Sequence, residues 1–319
     1  MQSSKPVCLI TGGTGTLGTS LALKLADHGY KVRTLSRSEQ GREKLKHLIQ
    51  QHPLHNENIS ILAGDVCDPD RLKLALRGVD IVIHAAALKR IDLCEYDPIE
   101  AVRVNVHGTA QVIQAAIAEG VSKAVLISTD KACAPSTLYG ATKLSAERMW
   151  LSANVYAPCF MALRYGNVFG SAGSVLHAFQ AQAHQLTLTD PDATRFHITL
   201  ASAVELVCSM IQDGKPGELC IPKLPSYTLS DLATAFMATK DRPWSPPKVI
   251  GLRACEKKHE QLISIDESES LMKINLLNYA LEPGKVHQPG HRWSYASDTN
   301  PDRLSVSALK EIILEHSQC

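Results

Sequence analysis

The chain lacks any apolar run approaching the ~18 residues of a membrane-spanning helix, so none is expected and the protein is not placed in a membrane. It has almost no charge surplus. Lys and Arg number 33 against 32 Asp and Glu, and a net +1 gives no electrostatic case for nucleic acid. It has no Cys-x-x-Cys pair. Its nine cysteines, at 8, 67, 94, 133, 159, 208, 220, 255 and 319, are odd in number and scattered. They read as reduced thiols in a cytoplasmic protein, mostly packed as small hydrophobes, Cys133 included. The thirteen histidines show no ligand spacing such as His-Glu-x-x-His, so no metal is expected. MQSSKP leads straight into a strand, and no signal peptide is expected. No solenoid-type repeat is visible.

What is present is ordinary for a soluble globular chain: 319 residues, 45% hydrophobic and 20% charged. Pro6 to Ile10 reads as a strand and runs into Thr11-Gly12-Gly13-Thr14-Gly15-Thr16-Leu17-Gly18, after which a helix begins. Glycines at 12, 15 and 18 allow a tight turn, close approach of a pyrophosphate and close helix–strand packing, with the helix N-terminus facing the phosphates. Alone the motif is weak; strand, turn and helix in that order supply its context. The second strand, Lys31 to Leu35, ends in Ser36-Arg37-Ser38. The Asp or Glu that usually meets the ribose hydroxyls of NAD is missing, and Arg37 is available for a 2′-phosphate with Ser36, Ser38 and Lys44 as helpers. NADP is therefore the expected cofactor.

A third strand, Ile59 to Leu62, precedes Gly64-Asp65-Val66, where Asp65 either meets the adenine edge or caps the helix starting near Pro69. A fourth, Asp80 to His84, ends in Ala85-Ala86-Ala87, small enough for a flat cofactor to lie against the backbone. A long helix spans Pro98 to Glu119 and carries Asn105, for which cofactor contact and a structural hydrogen bond weigh evenly. The sixth strand, Phe160 to Arg164, ends in Tyr165-Gly166-Asn167-Val168. This alternation predicts an α/β fold, a doubly wound parallel (Rossmann) sheet with a smaller discontinuous substrate domain. Residues 1–169 and 201–221 are assigned to the first unit, 170–200 and 222–319 to the second. Gln180 to His197 reads as turn-rich, Arg242 to Pro247 as a Pro-rich break, Pro283 to Pro301 as irregular, and the run 256–260 as a solvated charged face.

The chemistry concentrates in Ser128 to Lys143, STDKACAPSTLYGATK. Apolar Ala124 to Ile127 reads as a buried strand before it, and a helix follows. Tyr139 and Lys143 fall at i and i+4 on one helical face. A phenol titrates near ~10, and a nearby ammonium favours its anion, so the pair can take a proton from an alcohol while a cofactor takes the hydride. Thr129, Asp130 and Lys131 add an alcohol, an acid and an amine at the strand's carboxyl end, where parallel sheets bind ligands. By itself Tyr-x-x-x-Lys arises often by chance, as a core Tyr beside a solvated Lys.

With HAAALK at 84–89, STDKA at 128–132, LYGATK at 138–143, RYGNV at 164–168, TRF at 194–196 and EKKHE at 256–260, the chain resembles the UDP-N-acetylglucosamine 4,6-dehydratases that invert C5. These are extended short-chain dehydrogenase/reductases, and the soluble ones open pseudaminic acid synthesis. The resemblance covers almost the whole chain and implies that Tyr139 and Lys143 manage the C4 hydroxyl while Asp130 acts as acid and Lys131 as base in the elimination. Lys131 needs a pKa lowered from ~10.4 for that role. It implies cofactor contacts from the glycine turn, Ser36, Arg37 and Lys89, and UDP-sugar contacts from Lys89, Asn167, Arg195, Arg253 and Glu256. UDP-N-acetylglucosamine and further copies of the chain, in a homo-oligomer, are the expected partners. The chain departs from the family's pattern at Ala172, His197, Ala254 and Cys255, where relatives have Arg, Trp and Pro-Gly; this bears on the sugar more than on the reaction. The rivals are a UDP-hexose 4-epimerase, which needs no elimination pair, and a non-catalytic NADP-binding sensor, a kind that often loses the Tyr or Lys.

Overall fold

The computed structural model describes residues 5–156, 158–171, 174–182, 185–240, 245–269, 273–277, 286–287 and 292–318. Ala172 lies outside them, as do residues 242–244 of the Pro-rich break and 283–285 and 288–291 of the tail.

Six strands come first: β1 (Val7–Thr11), β2 (Lys31–Ser36), β3 (Ile59–Ala63), β4 (Ile81–His84), β5 (Lys123–Ile127) and β6 (Cys159–Leu163). Between them run α1 (Thr16–Asp27), α2 (Glu39–Gln50), α3 (Pro53–Asn58), α4 (Pro69–Leu76), α5 (Ile91–Tyr96), α6 (Pro98–Val102), α7 (Gly108–Ala118) and α8 (Leu138–Ser152). All five pairings among these strands are parallel, in the order β3-β2-β1-β4-β5-β6. Helices cover both faces, so β1, β4, β5 and β6 are buried almost throughout and read as apolar runs. Strand order reverses between β1 and β4, and the carboxyl ends of those strands form the crevice where such sheets take ligands. The long helix expected over 98–119 is α6 and α7 joined by one π-type turn at Arg103–His107, which holds Asn105.

Beyond residue 163 come β7 (Gln185–Leu188), β8 (Thr194–Phe196), β9 (Glu218–Pro222), β10 (Ser226–Thr228), β11 (Ser245–Val249), β12 (Gln261–Ile263), β13 (Lys273–Leu277), β14 (Val286–His287) and β15 (Tyr295–Ala296). Strands β9, β13 and β14 extend the main sheet past β6 to nine strands, so segment 222–319 contributes to that sheet. The others form three two-stranded pairs, β7/β11, β8/β10 and β12/β15. Strand β11 passes through Pro246 and Pro247, tolerable because a two-stranded pair leaves an open edge. A second apolar cluster, separate from that of the main sheet, gathers Phe169, Phe179, Leu186, Tyr227, Phe236, Leu309 and Ile313.

Candidate active site

The turn after β1 is set by sterics. Gly12 sits at φ +70°, and a Cβ there would lie 2.8 Å from the Ala86 nitrogen, so the loop after β4 closes directly on the glycine turn. Helix α1 then starts from Gly15 with no side-chain cap and no acid in its first turn, which leaves its first N–H groups open to an anion. A cleft of about 620 Å³ opens over this turn. Its wall includes Gly12, Thr14, Gly15, Thr16, Leu17, Gly18, Ser36, Arg37, Ser38, Val66, Ala85, Ala86, Lys89, Thr129, Tyr139, Lys143 and Asn167 from the expected set. Val104, Tyr165, Ser171 and Leu200 join them, unanticipated from the sequence.

Other expected residues stand back from the cleft. Asn105 is buried and its side chain is spent: it accepts from Leu88 N at 2.8 Å and donates to Leu88 O and Thr142 Oγ1 at 3.0 Å. It supports the loop after β4 and helix α8 rather than lining the wall. Asp65 accepts from Cys67 N at 2.9 Å and lies 3.4 Å from Arg37 Nη1; the cap of α4 is Asp68. Ser38, which does line the wall, also caps α2 through Gly41 N. Arg195 is held by Glu256 at 2.9 Å and by the carbonyls of Thr194 and Lys258. Arg253 is exposed, and its backbone N–H donates to Glu256 Oε2.

Helix α8 is brought hard against the turn at Asp130–Ala132. Thr137 caps it, and a Cβ on Gly140 would lie 2.2 Å from the Lys131 carbonyl oxygen. Only glycine permits that approach, which puts Tyr139 and Lys143 beside the Thr129-Asp130-Lys131 group. Asp130, 1% exposed, accepts from Thr129 Oγ1 at 2.8 Å and from Lys131 Nζ at 3.0 Å. Lys131 also donates to Asn167 Oδ1 at 3.2 Å and lies 3.6 Å from Glu260 Oε1.

Protonation differs from the sequence expectation. Burial pushes the Tyr139 phenol up to about 12, with Lys131 opposing the rise. Burial pulls Lys143 down to about 8, its amine donating to Ile127 O at 2.7 Å. The ammonium that was to lower Tyr139 is itself penalised by burial. For Lys131, burial alone lowers the pKa, but the Asp130 and Glu260 carboxylates outweigh it and the amine is held above its ordinary value. The lowered Lys131 needed for a free-standing base is therefore corrected: its neighbours are anions, not cations.

The sequence reading missed a buried brace behind these groups. Arg164, 0% exposed, donates to Glu147 Oε2 at 3.1 Å, Glu267 Oε2 at 2.8 Å and Leu262 O at 2.9 Å. Glu147 also accepts from Ser128 Oγ at 2.7 Å, and Glu267 from Cys133 Sγ at 3.3 Å. Burial holds the Cys133 thiol well above its usual range, in keeping with a packing role. The brace thus grips both sides of Asp130 and Lys131. The run 256–260 is also not a solvated face: Glu260 is 4% exposed, and Lys257 Nζ donates to Cys133 O at 2.7 Å. His197, one of the departures, is buried between Phe169 and Tyr227, and burial lowers it to about 4.

Residues 8–280 match the family model described as polysaccharide biosynthesis protein. The chain is 38% identical to the UDP-N-acetylglucosamine 4,6-dehydratase (inverting) of Campylobacter jejuni, with 96% of each chain covered. It is 35% identical to the UDP-glucose 4-epimerase of Rickettsia conorii, over 96% of this chain and 94% of that one. The solved structure of Pen from Bacillus thuringiensis superposes with a TM-score of 0.84 at 34% identity, covering 99% of this chain and 100% of that one. With a family model spanning most of its length and such relatives matched end to end, the chain belongs to the polysaccharide biosynthesis protein family.

Proposed function

We propose that the protein is an NADP-dependent hydro-lyase that removes water from UDP-N-acetylglucosamine and gives the 2-acetamido-2,6-dideoxy-4-keto sugar with C5 inverted. The carrying observation is the Asp130–Lys131 contact of 3.0 Å, on the turn that packs against the helix bearing Tyr139 and Lys143. Oxidation at C4 asks only for the latter two; an acid and a base touching each other are what an elimination adds, and a 4-epimerase has no use for them.

The uncapped start of α1 and the cleft above it fit a dinucleotide, with Gly12 to Leu17 at its pyrophosphate. Arg37 is half-exposed, and its 3.4 Å contacts to Asp65 and Glu100 are weak enough for a 2′-phosphate to displace. Bound there, the oxidised dinucleotide supplies a hydride acceptor and donor and a positive charge in the cleft that Tyr139 lines. Tyr139 accepts the C4 hydroxyl proton as its phenolate, a form that the Lys131 and Lys143 ammoniums and the bound dinucleotide's positive charge would favour against burial. Lys89 and Asn167 face the cleft for the nucleotide sugar, whose C4 to C6 edge must reach Tyr139, Asp130 and Lys131 for the reaction.

The raised Lys131 is compatible with this chemistry because its proton already has a destination. Passing that proton along the 3.0 Å hydrogen bond to Asp130 Oδ1 turns the ion pair into an amine and a carboxylic acid. Those are the base needed at C5 and the acid needed at the C6 hydroxyl. A cytoplasmic setting and a place in surface-glycan synthesis of the pseudaminic acid type accompany this reading; the eight described cysteines, all free thiols, support a reducing compartment. The test is incubation with UDP-N-acetylglucosamine followed by mass spectrometry. Loss of one water is expected. An unchanged mass with a new sugar supports epimerisation, and binding without turnover supports the sensor.

A further inference from the structure

Glu260 is the one acidic side chain of the 256–260 run that is fully buried, and neither the motifs nor the cleft assign it a task. Its backbone is pinned: Glu260 N donates to Ser297 Oγ at 2.9 Å, Ser297 N donates to Glu260 O at 2.8 Å, and the Ser297 and Thr194 hydroxyls meet at 2.6 Å. So anchored, the carboxyl lies between two cations, with Oε1 3.6 Å from Lys131 Nζ and 3.9 Å from Arg195 Nε. Oε2 is buried with no hydrogen-bond partner among the described residues. Desolvating a carboxylate with one oxygen unsatisfied is costly, and a glutamine would pack in the same space. The charge is therefore kept for an effect on a neighbour.

We propose that Glu260 is a positioning residue for the elimination: with Asp130 and Asn167 it anchors the Lys131 amine, and so fixes where that amine stands when it meets the C5 hydrogen. This rests on the reading of Lys131 as the C5 base. The charged groups around the carboxyl are Asp130, Lys131, Arg195 and Lys257. With Glu260 itself, two carboxylates face three cations, so the buried charge is compensated. Burial, with Asp130 adding to it, pushes the Glu260 carboxyl above its ordinary value. Loss of the Glu260 charge leaves the Lys131 amine anchored by Asp130 and Asn167 only, and less firmly placed against C5. Oxidation at C4, which uses Tyr139 and Lys143, is untouched.

The test compares Glu260→Gln and Glu260→Asp with the unmodified enzyme on UDP-N-acetylglucosamine, following reduced cofactor by absorbance and dehydrated product by mass. In Glu260→Gln, product formation should fall about tenfold or more while C4 oxidation stays within about twofold, so reduced cofactor accumulates. Glu260→Asp should restore most of the product rate, a recovery that a packing role does not give. Equal loss of both steps without rescue by Asp, or normal dehydration in Glu260→Gln, overturns the proposal. Lys131→Met separates the two levels: if it dehydrates normally, the base assignment has failed, whereas an inactive Lys131→Met beside a normal Glu260→Gln refutes Glu260 alone.

Discussion

Arg164→Met removes the centre of the buried brace. The guanidinium, 0% exposed, neutralises Glu147 and Glu267 and also satisfies Leu262 O. Its loss strands the fully buried Glu147 and leaves Glu267 with the more distant Arg148 at 3.7 Å, for which a cost of about 3–5 kcal/mol is expected. In a chain of 319 residues that lowers Tm by ~4–7 °C. Urea unfolding followed by circular dichroism gives the free-energy change. Adding Glu147→Gln should recover at least ~1 kcal/mol, because it removes one stranded charge, although alone it harms the protein. The pH dependence has a definite sign. Burial pushes Glu267 up, but its bonds to Arg164 outweigh burial and hold it below its ordinary value. Its stabilising contribution is full above the unfolded value of ~4.3 and is lost as pH falls through the lower folded value. In Arg164→Met that acid-side loss should disappear. A cost under ~1 kcal/mol, or strictly additive effects with Glu147→Gln, refutes the brace as described.

Tyr139→Phe should cut turnover by ~10²–10⁴-fold with dinucleotide affinity retained, measured by steady-state kinetics and calorimetry; near-normal turnover removes Tyr139 as the proton acceptor. Lys143, at about 8 through burial, should make kcat/KM fall as pH rises through that value, since its ammonium supports the Tyr139 anion; a flat profile from pH 7 to 9 contradicts this. NADP⁺ should bind more tightly than NAD⁺, and Arg37→Ala should shrink the difference; equal affinities in the unmodified protein remove the 2′-phosphate assignment. Cys255 sits at φ +63°, where a side chain costs ~1 kcal/mol, so Cys255→Gly should leave stability unchanged or raise it by up to that amount in thermal melts, and a clear loss contradicts the strain.

The glycine turn, Thr129-Asp130-Lys131 and Tyr139/Lys143 were legible because each is a short string whose residues act together through local geometry. The parallel sheet was legible because buried strands and crossover helices differ in period. The brace was not: Arg164 finds Glu147 17 residues away, Leu262 98 away and Glu267 103 away, and no spacing announces such a meeting. The protonation of Lys131 was misjudged for the same reason, because Glu260 reaches it from a run that reads as solvated charge. Asn105 lay within a helix that was foreseen, but its π-type turn, which aims the amide at Leu88 and Thr142, follows from tertiary packing.

The proposed elimination by Asp130 and Lys131 is tested most directly by the product formed from UDP-N-acetylglucosamine in D₂O, read by NMR at C5. A base that removes the C5 hydrogen, followed by reprotonation on the opposite face, predicts one deuterium at C5 and inverted configuration there. In Lys131→Met, reduced cofactor should build up and this product should be absent. Retained configuration, protium at C5, or normal dehydration by Lys131→Met contradicts an elimination by this pair.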